Sequence, residues 1–203
     1  MRNFTKDFLR DISNIVSKID TNIIEEIVKM LVDLRDNKGR LFILGVGGGA
    51  GHASHAVNDF RKITEIEAYT PTDNVSELTA RINDDGWDTS FLNWLKVSNL
   101  RSEDVILVFS VGGGNLKKKI SINLVNALKY AKGLGVKICG VVGRKDGYTA
   151  IVADLCLIVP DVNSRNITAY TETIQSLVWH ILVTHPRLQK IEMKWESITQ
   201  NEK

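Results

Sequence analysis

The chain has 203 residues, 43% of them hydrophobic and 25% charged, which supplies a real core and excludes a disordered chain. Lys and Arg number 26 against 24 Asp and Glu, a formal charge of +2. That balance lacks the concentrated basic face that non-specific nucleic-acid binding needs. No apolar stretch approaches the ~18 residues of a membrane span, and the amino terminus has no signal-peptide core, so no membrane partner and a cytoplasmic location are expected.

Residues 4 to 36 carry apolar positions at helical spacing. Phe8, Ile12, Ile15, Val16 and Ile19 form one stripe, and Ile23, Ile24, Ile27, Val28, Leu31, Val32 and Leu34 continue it after Asp20-Thr21-Asn22, a helix start. Two such helices without a sheet of their own must pack on the following domain or on another subunit. We therefore divide the chain into amino-terminal helices, 1–38, packing in an oligomer, and one structural unit, 39–203.

From Arg40 the pattern changes. Leu41-Phe42-Ile43-Leu44 is a short apolar strand, followed by the turn Gly45-Val46-Gly47-Gly48-Gly49 and a helix. Ala68-Tyr69-Thr70 is a short strand. Val105 to Phe109 is another, leading through Ser110-Val111-Gly112-Gly113-Gly114-Asn115 into a helix ending near Leu134. Residues 136–142 and 155–159 are two more strands, and a last helix runs from about Thr168 to Thr184, stopped by His185-Pro186. Continuously apolar strands alternating with helices predict an α/β fold with a parallel sheet covered on both faces. Ligands in such sheets bind beyond the carboxyl ends of the strands, where both glycine turns sit.

The first glycine turn misplaces the third glycine of Gly-x-Gly-x-x-Gly and lacks the acidic partner, so no nucleotide cofactor is expected and a Rossmann dehydrogenase is disfavoured. Its backbone N–H groups can still approach an anion above a helix start. The second turn repeats the arrangement, with Ser110 and Asn115 as polar side chains and Lys117-Lys118-Lys119 beyond. That lysine run reads first as a solvated face. His52, His55 and Asp59 follow the first turn, and 55 and 59 share a helix face, either as a surface ion pair or as part of a site. Glu172 and His180 are eight apart on the last helix and share a face with Ala169 and Gln175 or Ser176. Asn83-Asp84-Asp85-Gly86-Trp87-Asp88 reads as an acidic loop that could rim a polyol site. Cys139 and Cys156, both in apolar runs, make no zinc or redox motif.

Taken together, these motifs resemble the sugar isomerase (SIS) domain family, and within it the phosphoheptose isomerases. The first turn followed by His55 and Asp59, the Asn83–Trp87 segment, the Ser110–Asn115 turn and the Glu172–His180 pair fall where that family has its own motifs. The resemblance spans nearly the whole chain. It implies a flavodoxin-like, doubly wound three-layer sandwich with an amino-terminal helical extension. It also implies an aldose–ketose isomerase acting on a sugar phosphate, and a homotetramer whose sites draw on more than one subunit. By position, Asp59 would be the carbon base and His180 the oxygen acid/base. Gly47, Gly48, Gly49, Asp84, Ser110, Gly112, Gly113, Asn115 and Glu172 would bind substrate. Some relatives carry zinc, and His55, Asp59, Glu172 and His180 would be its ligands here. The chain departs from the family in having Asp59 for a glutamate, Glu172 for a glutamine, Val46 and Gly49 for Asn and Ser, and glycines where the second turn carries hydroxyls. The rival expectation is a non-catalytic module that binds a sugar phosphate.

Overall fold

The computed structural model describes residues 3–193. Its centre is a parallel sheet of β1 (Leu41–Gly45), β2 (Ala68–Tyr69), β3 (Val105–Ser110), β4 (Lys137–Val142) and β5 (Leu155–Ile158), in the order β2-β1-β3-β4-β5. That is the doubly wound order of flavodoxin-like sheets, with its switch point between β1 and β3. Successive side chains of a strand point to opposite faces. Leu41, Ile43, Leu107, Phe109 and Val141 therefore enter one core, and Phe42, Leu44, Ile106, Val108 and Ile138 the other. The central strands β1 and β3 are almost wholly apolar because neither face of the sheet meets water there.

Helices α1 (Phe4–Val16), α2 (Thr21–Asp36), α3 (Gly48–Thr64) and, at the end of the chain, α8 (Ile167–Thr184) cover the first face. The second carries α5 (Ser90–Val97), α6 (Ile122–Gly133) and, over β4 and β5, the short α7 (Tyr148–Val152); α4 (Val75–Asp85) packs on α5. Asn3 and Asp20 cap α1 and α2 by accepting the N–H groups of Lys6 and Asn22. The stripe Ile24, Ile27, Val28, Leu31 and Leu34 of α2 is buried in the first core, so of the two partners open to it the following domain is the one it meets in this chain. On α1, Phe4, Leu9 and Val16 remain exposed. The sheet's amino-terminal end is clamped by Asp104, fully buried, whose carboxylate accepts hydrogen bonds from Arg40 Nη2 (2.7 Å) and Nε (3.1 Å) and from the Arg40 and Arg101 amides. This pairing raises the Arg40 pKa further above its ordinary value.

Two local expectations change. No helix follows the second glycine turn directly: Asn115 and Ile120 form an antiparallel bridge, and Asn115 Oδ1 accepts the Lys118 N–H. Lys119 and Ser121 have positive φ, so helix geometry begins only at Ile122. Lys117 to Lys119 consequently lie exposed in a small hairpin. Asn83 to Asp85 are not loop but the last turn of α4, which ends at Gly86 with φ 81°. Among the described residues, no helix is long and apolar enough to cross a membrane.

Candidate active site

The site lies along the groove between α3 and α8. Gly47, at φ 61° and ψ −124°, turns the chain from β1 into α3, whose amino terminus has no side-chain cap. That terminus carries the positive end of the helix dipole, although the N–H of Gly49 turns back to the Val46 carbonyl and those of Ala50 and Gly51 to that of Gly47. Glu172 places its carboxylate against Gly48 in that first turn, where a Cβ on residue 48 would overlap Oε1. One turn on, His52 Nδ1 lies 3.0 Å from Gln175 Oε1. Farther along, Trp179 Nε1–H donates to Asp59 Oδ2 at 3.1 Å. The two helices thus meet in register, 48 with 172, 52 with 175, 59 with 179 and 180.

Asp59 is 8% exposed and is the most enclosed ionisable group of the groove. Asn58 Nδ2 donates to its Oδ1 at 3.0 Å, so both oxygens are oriented. His55 Nε2 approaches Oδ2 at 3.5 Å and His180 Nε2 at 3.7 Å. His180 Nδ1 lies 2.8 Å from the Ser176 carbonyl, which only accepts, so the ring proton sits on Nδ1 and Nε2 holds the lone pair. A neutral His180 therefore aims a lone pair at a carboxylate oxygen. That juxtaposition is favourable when a cation, either a proton or a metal ion, lies between them. His55, Asp59 and His180 offer ligand atoms within 4.8 Å of one another, two imidazoles and a carboxylate, a donor set that suits zinc with an open position. Glu172 is not gathered with them. It stands at the other end of the groove, three helical turns from residue 59 along α3, which removes it from the expected ligand set.

The remaining expected residues divide between the ends of β1 and β3. Gly48 and Gly49 open α3, and Gly49 sits so close to β3 that a Cβ would overlap the Phe109 carbonyl oxygen. Ser110 ends β3, and its Oγ accepts the Gly113 N–H at 3.0 Å. The second turn is tied to α7: Gly113 O accepts from Thr149 N and Oγ1, and Gly114 O from Tyr148 N. Gly112 lies between these contacts, and Asn115 is engaged in the hairpin. Asp84 is exposed on α4, which packs on the opposite face, and its Oδ1 accepts a hydrogen bond from its neighbour Asn83. It does not join the groove of its own chain. Ala169, Glu172, Ser176 and His180 line one open depression together with His52, as their shared helix face required. Sequence reasoning gave no role to Trp179, Gln175 or His52. The spacing 52, 55, 59 was a usable signal for His52, because i, i+3 and i+7 share a face. Nothing in the apolar run around Trp179 announced its N–H contact.

A doubly wound sheet with paired glycine turns at its switch point and an acid–imidazole cluster farther along the helix that leaves the first of them defines a sugar-isomerase-type protein, and a model of the SIS domain matches residues 4–143. The chain belongs to the SIS domain family. Its curated relatives narrow this to an isomerase of the phosphoheptose isomerase type. It is 32% identical over 194 residues to the phosphoheptose isomerase of Aliarcobacter butzleri, covering 92% of this chain and 94% of that one. It is 30% identical over 163 residues to the phosphoheptose isomerase of Helicobacter pylori, covering 78% and 77%. The solved phosphoheptose isomerase of Neisseria gonorrhoeae shares the fold, with a TM-score of 0.76 at 23% identity over 88% of this chain and 95% of that one.

Proposed function

We propose that this chain interconverts sedoheptulose 7-phosphate and D-glycero-D-manno-heptose 7-phosphate through an enediol, in the cytoplasm, for surface-polysaccharide heptose. The observation that carries the reading is the convergence of Asp59, His55 and His180 from two helices onto one enclosed carboxylate oxygen. Asp59 takes the proton from C1 and returns it at C2. Trp179 and Asn58 hold its oxygens in place, so no reorientation is needed as the proton moves. His180, with its proton fixed on Nδ1, uses Nε2 to take and return protons at O1 and O2. The amides of Gly47, Gly48 and Gly112, with the Ser110 hydroxyl and the Asn115 side-chain amide, orient the phosphate, while Gly49 and Gly113, whose N–H groups are bonded within the chain, shape the two turns, and Glu172 accepts from a sugar hydroxyl. Asp84, exposed on the opposite face of its own chain, is assigned to the site of a neighbouring subunit in the proposed homotetramer.

The donor set at His55, Asp59 and His180 would hold Zn²⁺, which would supply Lewis-acid polarisation of the sugar carbonyl; it would also occupy the single free lone pair of His180, on Nε2, so the proton-shuttle role given to that nitrogen belongs to the metal-free site. Metal analysis of protein purified without chelator decides between the two roles: a near-stoichiometric ion makes His180 a ligand, and less than about a tenth of an equivalent overturns the metal assignment and leaves His180 the proton shuttle. A different ketose phosphate is the second reading. It is favoured by the second turn, which retains a single hydroxyl, on Ser110, where the phosphoheptose isomerases carry several.

The test is turnover followed by NMR, with sedoheptulose 7-phosphate and other ketose phosphates in parallel. Aldose phosphate should appear from the heptulose, and Asp59→Asn and His180→Gln should each lose about 10²–10⁴-fold in kcat. Full activity in either variant removes the assigned roles, and turnover of another ketose phosphate alone removes the substrate.

A further inference from the structure

His52 is a third imidazole in the groove, and its surroundings leave one nitrogen unused. Gln175 is fully buried, and its Nε2 donates to the Val141 carbonyl of β4 at 3.0 Å. That bond fixes the amide, so Gln175 Oε1 is the atom facing His52 Nδ1. Oε1 only accepts, so Nδ1 carries the proton and Nε2 keeps its lone pair. The ring is walled by Trp179 (centroids 5.2 Å apart) and by Phe109, edge-on at 6.5 Å. Its tautomer and plane are thus set by a chain of contacts reaching the core strand β4. Among the described residues, Nε2 has no hydrogen-bond partner. His52 also lines the open depression shared with Glu172, Ser176 and His180. An imidazole locked from behind, with its free acceptor at the edge of an open groove, is built to receive a donor from outside the chain.

We propose that His52 binds substrate, its Nε2 accepting a hydrogen bond from a sugar hydroxyl distant from the reacting carbons. The inference rests on the sugar-phosphate isomerase reading above. His52 and Asp59 are seven residues apart on α3, about 10 Å along its axis. Glu172 stands one turn beyond His52, against Gly48. The groove therefore presents two polar stations. The enclosed one, at Asp59, His55 and His180, is for proton transfer. The open one, at His52 and Glu172, is made of acceptors, and its ligand class is the hydroxyl groups of a polyhydroxylated chain.

The experiment uses the full-length protein and sedoheptulose 7-phosphate. The amide nitrogen of His52→Asn can still meet Gln175 Oε1, but the distal nitrogen is gone. Its KM is expected to rise about tenfold while kcat changes less than about threefold and the melting temperature holds. His52→Gln, which restores a polar atom at the distal position, should recover most of the loss. In parallel, ¹⁵N imidazole spectra should show His52 protonated on Nδ1, and its signals should shift with substrate at the same midpoint as those of His180. An unchanged KM in His52→Asn overturns the proposal. So does a His52 protonated on Nε2, or one that stays still while His180 shifts; in that case the isomerase reading stands. If neither ring responds and nothing is turned over, the isomerase reading itself fails and this inference falls with it.

Discussion

The two glycine turns leave neighbouring strands at the same end of one sheet, and they use glycine differently. After β1, the absence of a side chain lets other parts of the molecule come close. Gly49 sits directly under the Phe109 carbonyl, and Gly48 gives its space to the Glu172 carboxylate. After β3, the glycines serve the backbone. Gly113 and Gly114 have φ of 69° and 79°, and their carbonyls are spent on the amides that open α7. The first turn is where β3, α3 and α8 are pressed together, and the groove between the two helices starts there. The second is a shaped strap held from behind, with its turn presented towards the switch point. Similar strings of residues thus carry a packing constraint in one case and a torsional one in the other.

Alanine substitutions separate the two constraints. Gly49→Ala should cost the most stability, about 3 kcal/mol by urea unfolding, because a Cβ meets the backbone of β3, which cannot swing aside. A loss under about 1 kcal/mol would show that α3 is not seated as tightly as described. Gly113→Ala should cost about 1–2 kcal/mol, the torsional penalty of a positive φ, since its nearest neighbours are at ordinary contact distance. Gly48→Ala inverts the pattern. The obstacle is the end of a flexible side chain, so unfolding should change by less than about 1 kcal/mol while Glu172 is driven from its place. Its kcat/KM should fall by about 10²-fold. Equal losses of stability at 48 and 49 would erase the distinction.

A smaller effect probes the sheet beneath both turns. Burial pushes the Cys156 thiol on β5 up to about 11. Since this lies above the unfolded value of about 8.5, the folded protein holds the proton longer. Its contribution is complete below the unfolded value and is lost as pH climbs towards the folded one. Stability should therefore decline between about pH 9 and pH 11, and Cys156→Ser should flatten that decline. Unfolding curves that fall no less steeply in the variant would contradict it.

Much of this molecule could be read from the sequence, because its signals are local. Apolar runs such as Val105 to Phe109 have no polar alternation, and only a sheet covered on both faces explains that. The expectation that α3 and α8 bring residues 59 and 180 together rested on helical spacing plus resemblance, and the groove is where they meet. What could not be read depended on pairings that no sequence pattern marks. The delay of α6 comes from the Asn115–Ile120 bridge, which no periodicity announces. Glu172 shares a helix face with His180, yet its carboxylate stops at Gly48, because the inter-helix register decides which residues meet. His52 was visible as a histidine, but its tautomer depends on a glutamine 123 positions away.

The placement of Trp179 has a practical outcome. Its indole lies beside the rings of His52, His55 and His180 and bonds to Asp59. Imidazolium quenches indole emission, and a carboxylate at the indole nitrogen shifts its colour. With the chain's other three tryptophans replaced by phenylalanine, Trp179 would be an optical gauge at the groove, and occupancy and protonation there could be followed by fluorescence without a label.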